Sequence, residues 1–142
     1  MLNATLKDRL ATAFSLTHDL FAHLDEASLL LDLPNLPSNR IAAQAWCIAG
    51  ARESYLRAIR EGGWQGFSCS LDDPRTKESV LAALEETTAT FAAIDPGSLD
   101  SARLDLAFLL LEHEVQHHGQ LIRYVYANGL TFPASWKERY TV

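Results

Sequence analysis

Residues 98–129 read SLDSARLDLAFLLLEHEVQHHGQLIRYVYANG, and this run predicts one long helix. Ser98 or Asp100 can cap its beginning, and Asn128 with Gly129 is typical of a left-handed helix end. Between these signals, leucines recur at helical spacing and cluster on one side. An amphipathic helix of this kind is a building block of helical bundles, so the fold depends on what the rest of the chain contributes.

The remainder of the chain carries further helix signals and almost no strand-like alternation. Three segments are expected to be helical: about 5–31, from a cap at Ser38 or Asn39 to Gly62–Gly63, and from Asp73–Pro74 to Pro96–Gly97. The connection at 63–72 is too apolar for a free linker, which predicts a loop packed on the bundle. We therefore predict an all-α protein, a four-helix bundle in a single domain over residues 1–142, with a short C-terminal tail.

Composition and charge exclude several classes of protein. The chain has 142 residues, 48% of them hydrophobic, and a formal charge of −6, which provides no positive field to attract nucleic acid. Its longest apolar run, Leu106–Leu111, is far shorter than the roughly 20 residues that a membrane span needs. No signal-peptide pattern opens the sequence, so we expect a cytoplasmic protein with no membrane partner. Cys47 and Cys69 are accordingly expected to be free thiols.

Three of the five histidines lie within residues 113–118, in the middle of the long helix. His113 and His117 are four residues apart, so their side chains share one face, whereas His118 lies to one side. Two neutral imidazoles at this spacing can chelate one metal ion. The alternative is that they are core histidines whose ring nitrogens are satisfied by hydrogen bonds.

The second predicted helix offers a third ligand, because either Gln44 or Cys47 can face the histidines. A thiolate at Cys47 would be a strong zinc ligand. In the alternative, Cys47 is a small buried residue and Gln44 hydrogen-bonds a histidine. Small residues on the same side as Cys47 predict close helix approach and room for a ligand pocket; they are Ala43, Gly50, Ala51 and Ser54.

Residues 113–117 also match the H-E-x-x-H pattern, in which two histidines bind zinc and the glutamate is the general base. A zinc peptidase needs a third ligand as well, and Glu138 is the glutamate that follows downstream. We expect Glu114 at the edge of the helix face or in solvent. A zinc peptidase is therefore the weaker alternative.

Two segments together resemble the DinB-like family of bacterial four-helix bundles. Residues 113–136, HEVQHHGQLIRYVYANGLTFPASW, resemble its C-terminal signature: two histidines four apart, Gly-Gln-Leu, a Tyr one turn on, and a proline-containing tail. Residues 42–59, AAQAWCIAGARESYLRAI, are similar to the helix that supplies the family's first metal-binding histidine. The resemblance implies an up-down-down-up bundle and a homodimer. We expect exposed Trp and Tyr residues of the second loop and the tail to form its interface.

The resemblance also implies a site for a divalent ion, zinc or nickel, with His113 and His117 as ligands. Cys47, or Gln44 in a different register, stands where the family has its first histidine. Cysteine would preserve a three-ligand site, whereas glutamine would be a poor ligand. The arginine that often follows the family's second histidine is His118 here.

The family includes thiol transferases, which implies a metal-dependent transferase or hydrolase acting on a small molecule or a low-molecular-weight thiol. Glu114 and His118 are then candidates for acid–base catalysis. Gln44 and Gln120 are candidates for orienting the ligands or replacing one of them. The alternative is a non-enzymatic binding protein of the same fold whose metal site has degraded.

Overall fold

The computed structural model describes residues 2–142 and is all-helical over that range, with no β-strand. Its five helices are α1 (Leu2–His23), α2 (Ile41–Glu61), α3 (Lys77–Ala92), α4 (Ser101–Ala127) and α5 (Ala134–Tyr140), with 3-10 turns at Glu26–Leu30 and Pro96–Ser98. The prediction of an all-α bundle with a short C-terminal tail is therefore confirmed. Over the same residues, no helix combines the length and the apolarity needed to cross a membrane.

The four long helices run up, down, down and up. α2 packs against α4 and α3, and α1 packs against the same two helices. One buried apolar cluster joins the first parts of α1 and α4 to the C-terminal ends of α2 and α3; it contains Leu6, Leu10, Phe14, Leu56, Ile59, Phe91, Ala107 and Leu110. A second cluster joins the other ends of the same four helices. α2 and α4 are thus antiparallel neighbours, and their contact positions the site described below.

The predicted end of α1 is wrong, whereas the predicted beginning and end of α4 agree with the structure. α1 ends at His23 rather than near Leu31, because Asp25 caps a separate 3-10 turn by accepting a hydrogen bond from Ser28 N at 3.0 Å. α4 begins after a side-chain cap at Asp100, which is one of the two predicted caps. Its end at residues 127–129 also agrees with the prediction.

The beginnings of α2 and α3 lie later than the cap signals suggest. Arg40, not Asn39, is the residue that precedes α2, and it makes no side-chain capping bond. α3 begins at Lys77, because Asp73 forms a turn in which its carboxylate accepts a hydrogen bond from Arg75 N at 3.1 Å. The sequence signals at these two positions mark turns before the helices rather than the helix caps themselves.

The tail after α4 contains a helix that the sequence patterns do not predict. α5 lies against α1, and its Trp136 has no exposed surface. Trp136 Nε1 donates a hydrogen bond to Leu16 O at 2.6 Å, and its ring contacts the rings of His118 and Tyr140. The tail tryptophan is therefore a core residue, and the expectation that it is exposed for a dimer interface is wrong.

The connection between α2 and α3 packs on the bundle, as predicted. Phe67 and Cys69 lie over Gly50, where an added Cβ would clash with Phe67 Cζ and lie 2.9 Å from Cys69 Cβ. Ser54 Oγ donates to Ser68 O and accepts from Ser68 N. These small residues of α2 make room for the loop, so the loop occupies the space where a ligand pocket was expected.

Candidate metal centre

α2 and α4 bring one cysteine and two histidines together. Cys47 comes from α2, His113 and His117 come from α4, and one ligand atom from each lies within 4.8 Å of the other two. Cys47 Sγ is 3.7 Å from His113 Nε2, and the centroids of the two imidazole rings are 4.5 Å apart. His117 is buried, whereas Cys47 and His113 are partly exposed. This group, named here the α2–α4 cluster, is therefore accessible from solvent.

The donor atoms and their spacing fit a small divalent metal ion. A thiolate sulfur and an imidazole nitrogen bound to one tetrahedral zinc ion are about 3.6 Å apart, given the usual bond lengths. The 3.7 Å between Cys47 Sγ and His113 Nε2 is close to that separation. Among the described residues, His113 Nδ1 is buried without a hydrogen-bond partner. Hydrogen bonds within the protein therefore do not satisfy this ring completely.

Gln44 fixes the position of the proton on His117. Its Oε1 accepts a hydrogen bond from His117 Nδ1, and its Nε2 donates to Asn39 Oδ1 at 3.0 Å. Tyr124 Oη lies 2.6 Å from Asn39 O and 2.7 Å from Asn39 Oδ1, so its single proton is shared between these two acceptors. The proton of His117 then lies on Nδ1 and the lone pair on Nε2, which leaves Nε2 able to bind a metal. Gln44 and Cys47 thus both face the histidines.

Burial keeps the ionisable groups of the α2–α4 cluster neutral. Desolvation, reinforced by the neighbouring His113, lowers the pKa of His117 to about 4. Desolvation also lowers the pKa of His113 and raises the pKa of the Cys47 thiol. Neutral imidazole is the form that binds metals, so protons compete little for the two histidines near pH 7. Cys47, in contrast, must lose a proton before it can bind as a thiolate.

Glu114 lies in the core, so the expectation that it is at the helix edge or in solvent is wrong. It has no exposed surface and forms an ion pair with Arg52 of α2, which is also fully buried. Arg52 Nε donates to Glu114 Oε2 at 3.2 Å, and Thr17 of α1 donates to Oε1 at 2.5 Å. Burial alone would raise the pKa of Glu114, but the charge and hydrogen bonds of Arg52 outweigh it and lower that pKa. The carboxylate is enclosed by these partners and does not face the α2–α4 cluster.

His118 and Gln120, the other predicted site residues of α4, also lie outside the cluster. His118 Nε2 is 2.7 Å from Thr17 Oγ1 and its Nδ1 is 2.6 Å from Tyr140 Oη, so α1 and α5 occupy both ring nitrogens. Burial, partly offset by the charge of Glu114, lowers the pKa of His118 to about 4. Gln120 is exposed to solvent. Of the predicted site residues, the structure brings together Cys47, His113 and His117, the three predicted metal ligands, and Gln44.

Sequence reasoning missed Arg52, the partner of Glu114, although a signal was present. Arg52 lies four residues after Ile48 and four before Leu56, so it falls on the apolar face of α2. A charged residue on such a face predicts a buried partner of opposite charge, because an unpaired buried charge is very costly. This signal points to a pair but does not say which acidic residue completes it.

The geometry does not favour the H-E-x-x-H peptidase. Glu114, the glutamate of that pattern, is enclosed by its ion pair with Arg52. Glu138, the predicted third ligand, is exposed on α5 and lines a groove with residues of α1. Neither carboxylate belongs to the α2–α4 cluster.

Comparison with models of known protein families finds none that matches this chain, and comparison with curated proteins finds no match either. The resemblance to the DinB-like family therefore stays a prediction that depends on residues 42–59 and 113–136. The fold and the α2–α4 cluster stand independently of it.

Proposed function

We propose that this protein binds one divalent metal ion through Cys47, His113 and His117. The observation that carries the proposal is the convergence of three donor atoms, from two antiparallel helices, within 4.8 Å of one another. The hydrogen bond between Gln44 and His117 supports it, because histidine ligands usually donate their other ring N–H to an orienting acceptor. Zinc or nickel suits this mixed set of sulfur and nitrogen donors.

We further propose that the bound ion serves a thiol transferase or hydrolase that acts on a small molecule. Three protein ligands leave one coordination position open, as in catalytic zinc sites. A divalent ion there supplies Lewis acidity, which lowers the pKa of a thiol or water at the open position. The partial exposure of Cys47 and His113 gives a low-molecular-weight thiol access. Location in a reducing cytoplasm, which keeps Cys47 as a free thiol, belongs to the same proposal.

The chain's own residues hold the site in place. Gln44 keeps the proton of His117 at Nδ1. The ion pair between Arg52 and Glu114 connects α2 to α4 one residue after His113, so it resists rotation of the two helices relative to each other. We assign Glu114 this positioning role rather than a direct part in proton transfer.

The first test is metal analysis of protein purified without an affinity tag or a chelator. We expect about one equivalent of metal in the wild type and none in His113→Ala or Cys47→Ser, because each variant removes a ligand. Cys69→Ser is the matched control: Cys69 is also a partly buried free thiol but does not belong to the α2–α4 cluster. The proposal is wrong if the wild type takes up neither zinc nor nickel, or if Cys69→Ser loses metal as Cys47→Ser does.

A non-enzymatic binding protein is the second candidate, and one observation favours it. Gln44 and Cys47 give each histidine a hydrogen-bond partner, so the protein satisfies part of the cluster without a metal. Metal content, thiol-transfer turnover and melting temperature of the wild type and His113→Ala distinguish the two functions. A variant that changes only in melting temperature identifies the histidines as structural and supports the second candidate.

A further inference from the structure

A groove on the side of α2 away from the α2–α4 cluster has the dimensions of a ligand site. It lies between the C-terminal ends of α2 and α3, beside the start of α4, and has a volume of about 830 Å³. Leu56 in its wall comes nine residues after Cys47, which places the two side chains about 180° apart around the helix. Sites for small molecules typically have volumes of about 300–1,000 Å³. The groove is thus large enough for a small molecule and separate from the metal centre.

The inner wall of the groove is apolar. Leu56 and Ile59 of α2 are buried, and Ile94, just after α3, is partly buried. Because Leu56 and Ile59 are only 4% and 3% exposed, a hydrocarbon group here removes from water mainly the surface of Ala93 and Ile94, at roughly 25 cal/mol for each Å². The wall therefore suits a ligand with an apolar part.

The rim of the groove carries more positive than negative charge, although the net charge of the chain is −6. Its charged residues are three arginines, Arg57, Arg60 and Arg103, and two acids, Glu53 and Asp95. Each acid already accepts a hydrogen bond from a backbone amide at 2.9 Å. The carboxylates are therefore partly occupied. Arg60 forms an ion pair with Glu61 and Arg103 forms one with Asp100, so among the described residues Arg57 is the rim arginine without an acidic partner.

Arg57 has a donor that the protein does not use. Its two terminal nitrogens both donate to Ser68 Oγ at 2.7 Å. Its Nε is buried and has no hydrogen-bond partner in the part of the chain that the structure describes. An unpaired buried N–H costs free energy, and a guanidinium pairs most strongly with carboxylate and similar anions. Arg103, in contrast, already donates to Ile59 O and Asp100.

We propose that this groove binds a small amphipathic organic anion. The acid group pairs with Arg57, and the hydrocarbon part covers Ala93 and Ile94. Because the groove and the α2–α4 cluster lie on opposite sides of α2, binding here does not require a metal. The proposal therefore stands or fails separately from the proposed metal centre.

Octanoate tests the proposal because it combines a carboxylate with a hydrocarbon chain. Two matched probes separate these features, since 1-octanol has the chain without the charge and acetate has the charge without the chain. In isothermal titration calorimetry with the full chain, we expect octanoate to bind with a Kd on the order of 0.1–1 mM and both other probes at least about tenfold more weakly. The proposal is overturned if octanoate does not bind, or if octanol binds equally well.

Three variants locate the site, and circular dichroism checks that each is folded. Arg57→Gln removes the charge but keeps a donor for Ser68, so it should weaken octanoate binding about tenfold. Arg123→Gln, at an exposed position of α4 outside the groove, is the control and should bind within about twofold of the wild type. Thr90→Trp fills the groove from an exposed position of α3 and should abolish binding, which keeps the test decisive if Arg57→Gln is unstable. Unchanged affinity in a folded Arg57→Gln or Thr90→Trp variant overturns the proposal.

Discussion

Adjacent residues of α4 belong to different parts of the structure, because successive side chains of a helix point about 100° apart. His117 faces the α2–α4 cluster, whereas His118 is enclosed by α1 and α5. In the same way, His113 faces the cluster while Glu114 faces Arg52 in the core. A linear motif such as H-E-x-x-H therefore contains residues of two sites, one open to solvent and one closed.

Protonation of His118 is expected to make stability fall in mild acid. Its pKa is about 4 in the folded protein, against 6.5 for an ordinary histidine. Between these values the unfolded chain binds the proton more readily, so the free energy of unfolding decreases as the pH falls from 7 towards 4. For His118 alone, we expect a loss of about 2 kcal/mol between pH 7 and pH 5.

Urea denaturation at both pH values measures this loss. His118→Gln keeps a polar group but takes up no proton, so its free energy of unfolding should fall by about 2 kcal/mol less than that of the wild type. His113 and His117 are present in both proteins, which removes their contributions from the difference. Parallel pH profiles would show that His118 is not the neutral, buried imidazole described above.

At the scale of the elements, α5 shows how tertiary contacts create a helix. It has seven residues, fewer than an isolated helix needs to be stable in water. Trp136 supplies a fully buried ring and a hydrogen bond to Leu16 O, and Tyr140, one turn later, reaches His118. Long-range packing rather than local propensity makes this segment helical, so sequence patterns predict only a tail.

Substitutions of Trp136 test how firmly α5 is docked. Trp136→Ala should lower the free energy of unfolding by about 3–5 kcal/mol, as for other large aromatic side chains removed from a core. Trp136→Phe keeps most ring contacts but removes the hydrogen bond to Leu16 O, which keeps its bond within α1, so we expect a cost of about 0.5–1.5 kcal/mol. Leu36→Ala, at an exposed position, is the control and should cost less than about 1 kcal/mol in the same urea denaturation experiment. Equal costs for Trp136→Ala and Leu36→Ala would contradict the docking of α5 in the core.

At the scale of the whole molecule, the helical architecture was accessible from sequence because its signals are local. Apolar spacing and left-handed terminators act within a few residues, and α2 and α4 end close to the predicted positions, at Gly62 and Asn128. The early end of α1 depends on Asp25, whose capping of a separate turn competes with continuation of the helix. Such competition between two acceptable local structures is decided by packing, which a single sequence does not display.

The members of the α2–α4 cluster were also accessible in part from the sequence. The spacing of His113 and His117 predicts a shared helix face, and the structure places both in one cluster. The choice between Gln44 and Cys47 depends on the register of α2 against α4, which is set by tertiary packing. In the structure both residues face the histidines. The burial of Glu114 likewise depends on Arg52, a partner 62 residues away in the chain.

A homodimer is still a prediction for the whole molecule. Trp46 and Phe67 are exposed with ring centroids 5.2 Å apart, and the nearby exposed Trp64 packs on Tyr55. Light scattering should give about twice the chain mass of 15.7 kDa, because association would cover these rings. The double variant Trp64→Glu with Phe67→Glu should give the monomer mass, whereas Leu36→Glu, at an exposed apolar residue elsewhere, should remain dimeric. A monomer mass for the wild type at micromolar concentration would count against the dimer.

The hydrogen bond from Trp136 to Leu16 joins residues 120 positions apart. A ribosome that adds about 5–20 residues per second needs on the order of ten seconds to make the chain between them. During that interval the side of α1 that receives α5 is uncovered, so the nascent chain presents apolar surface to chaperones. Helices form within about a microsecond, so it is translation, not helix formation, that sets when the core of this bundle is completed.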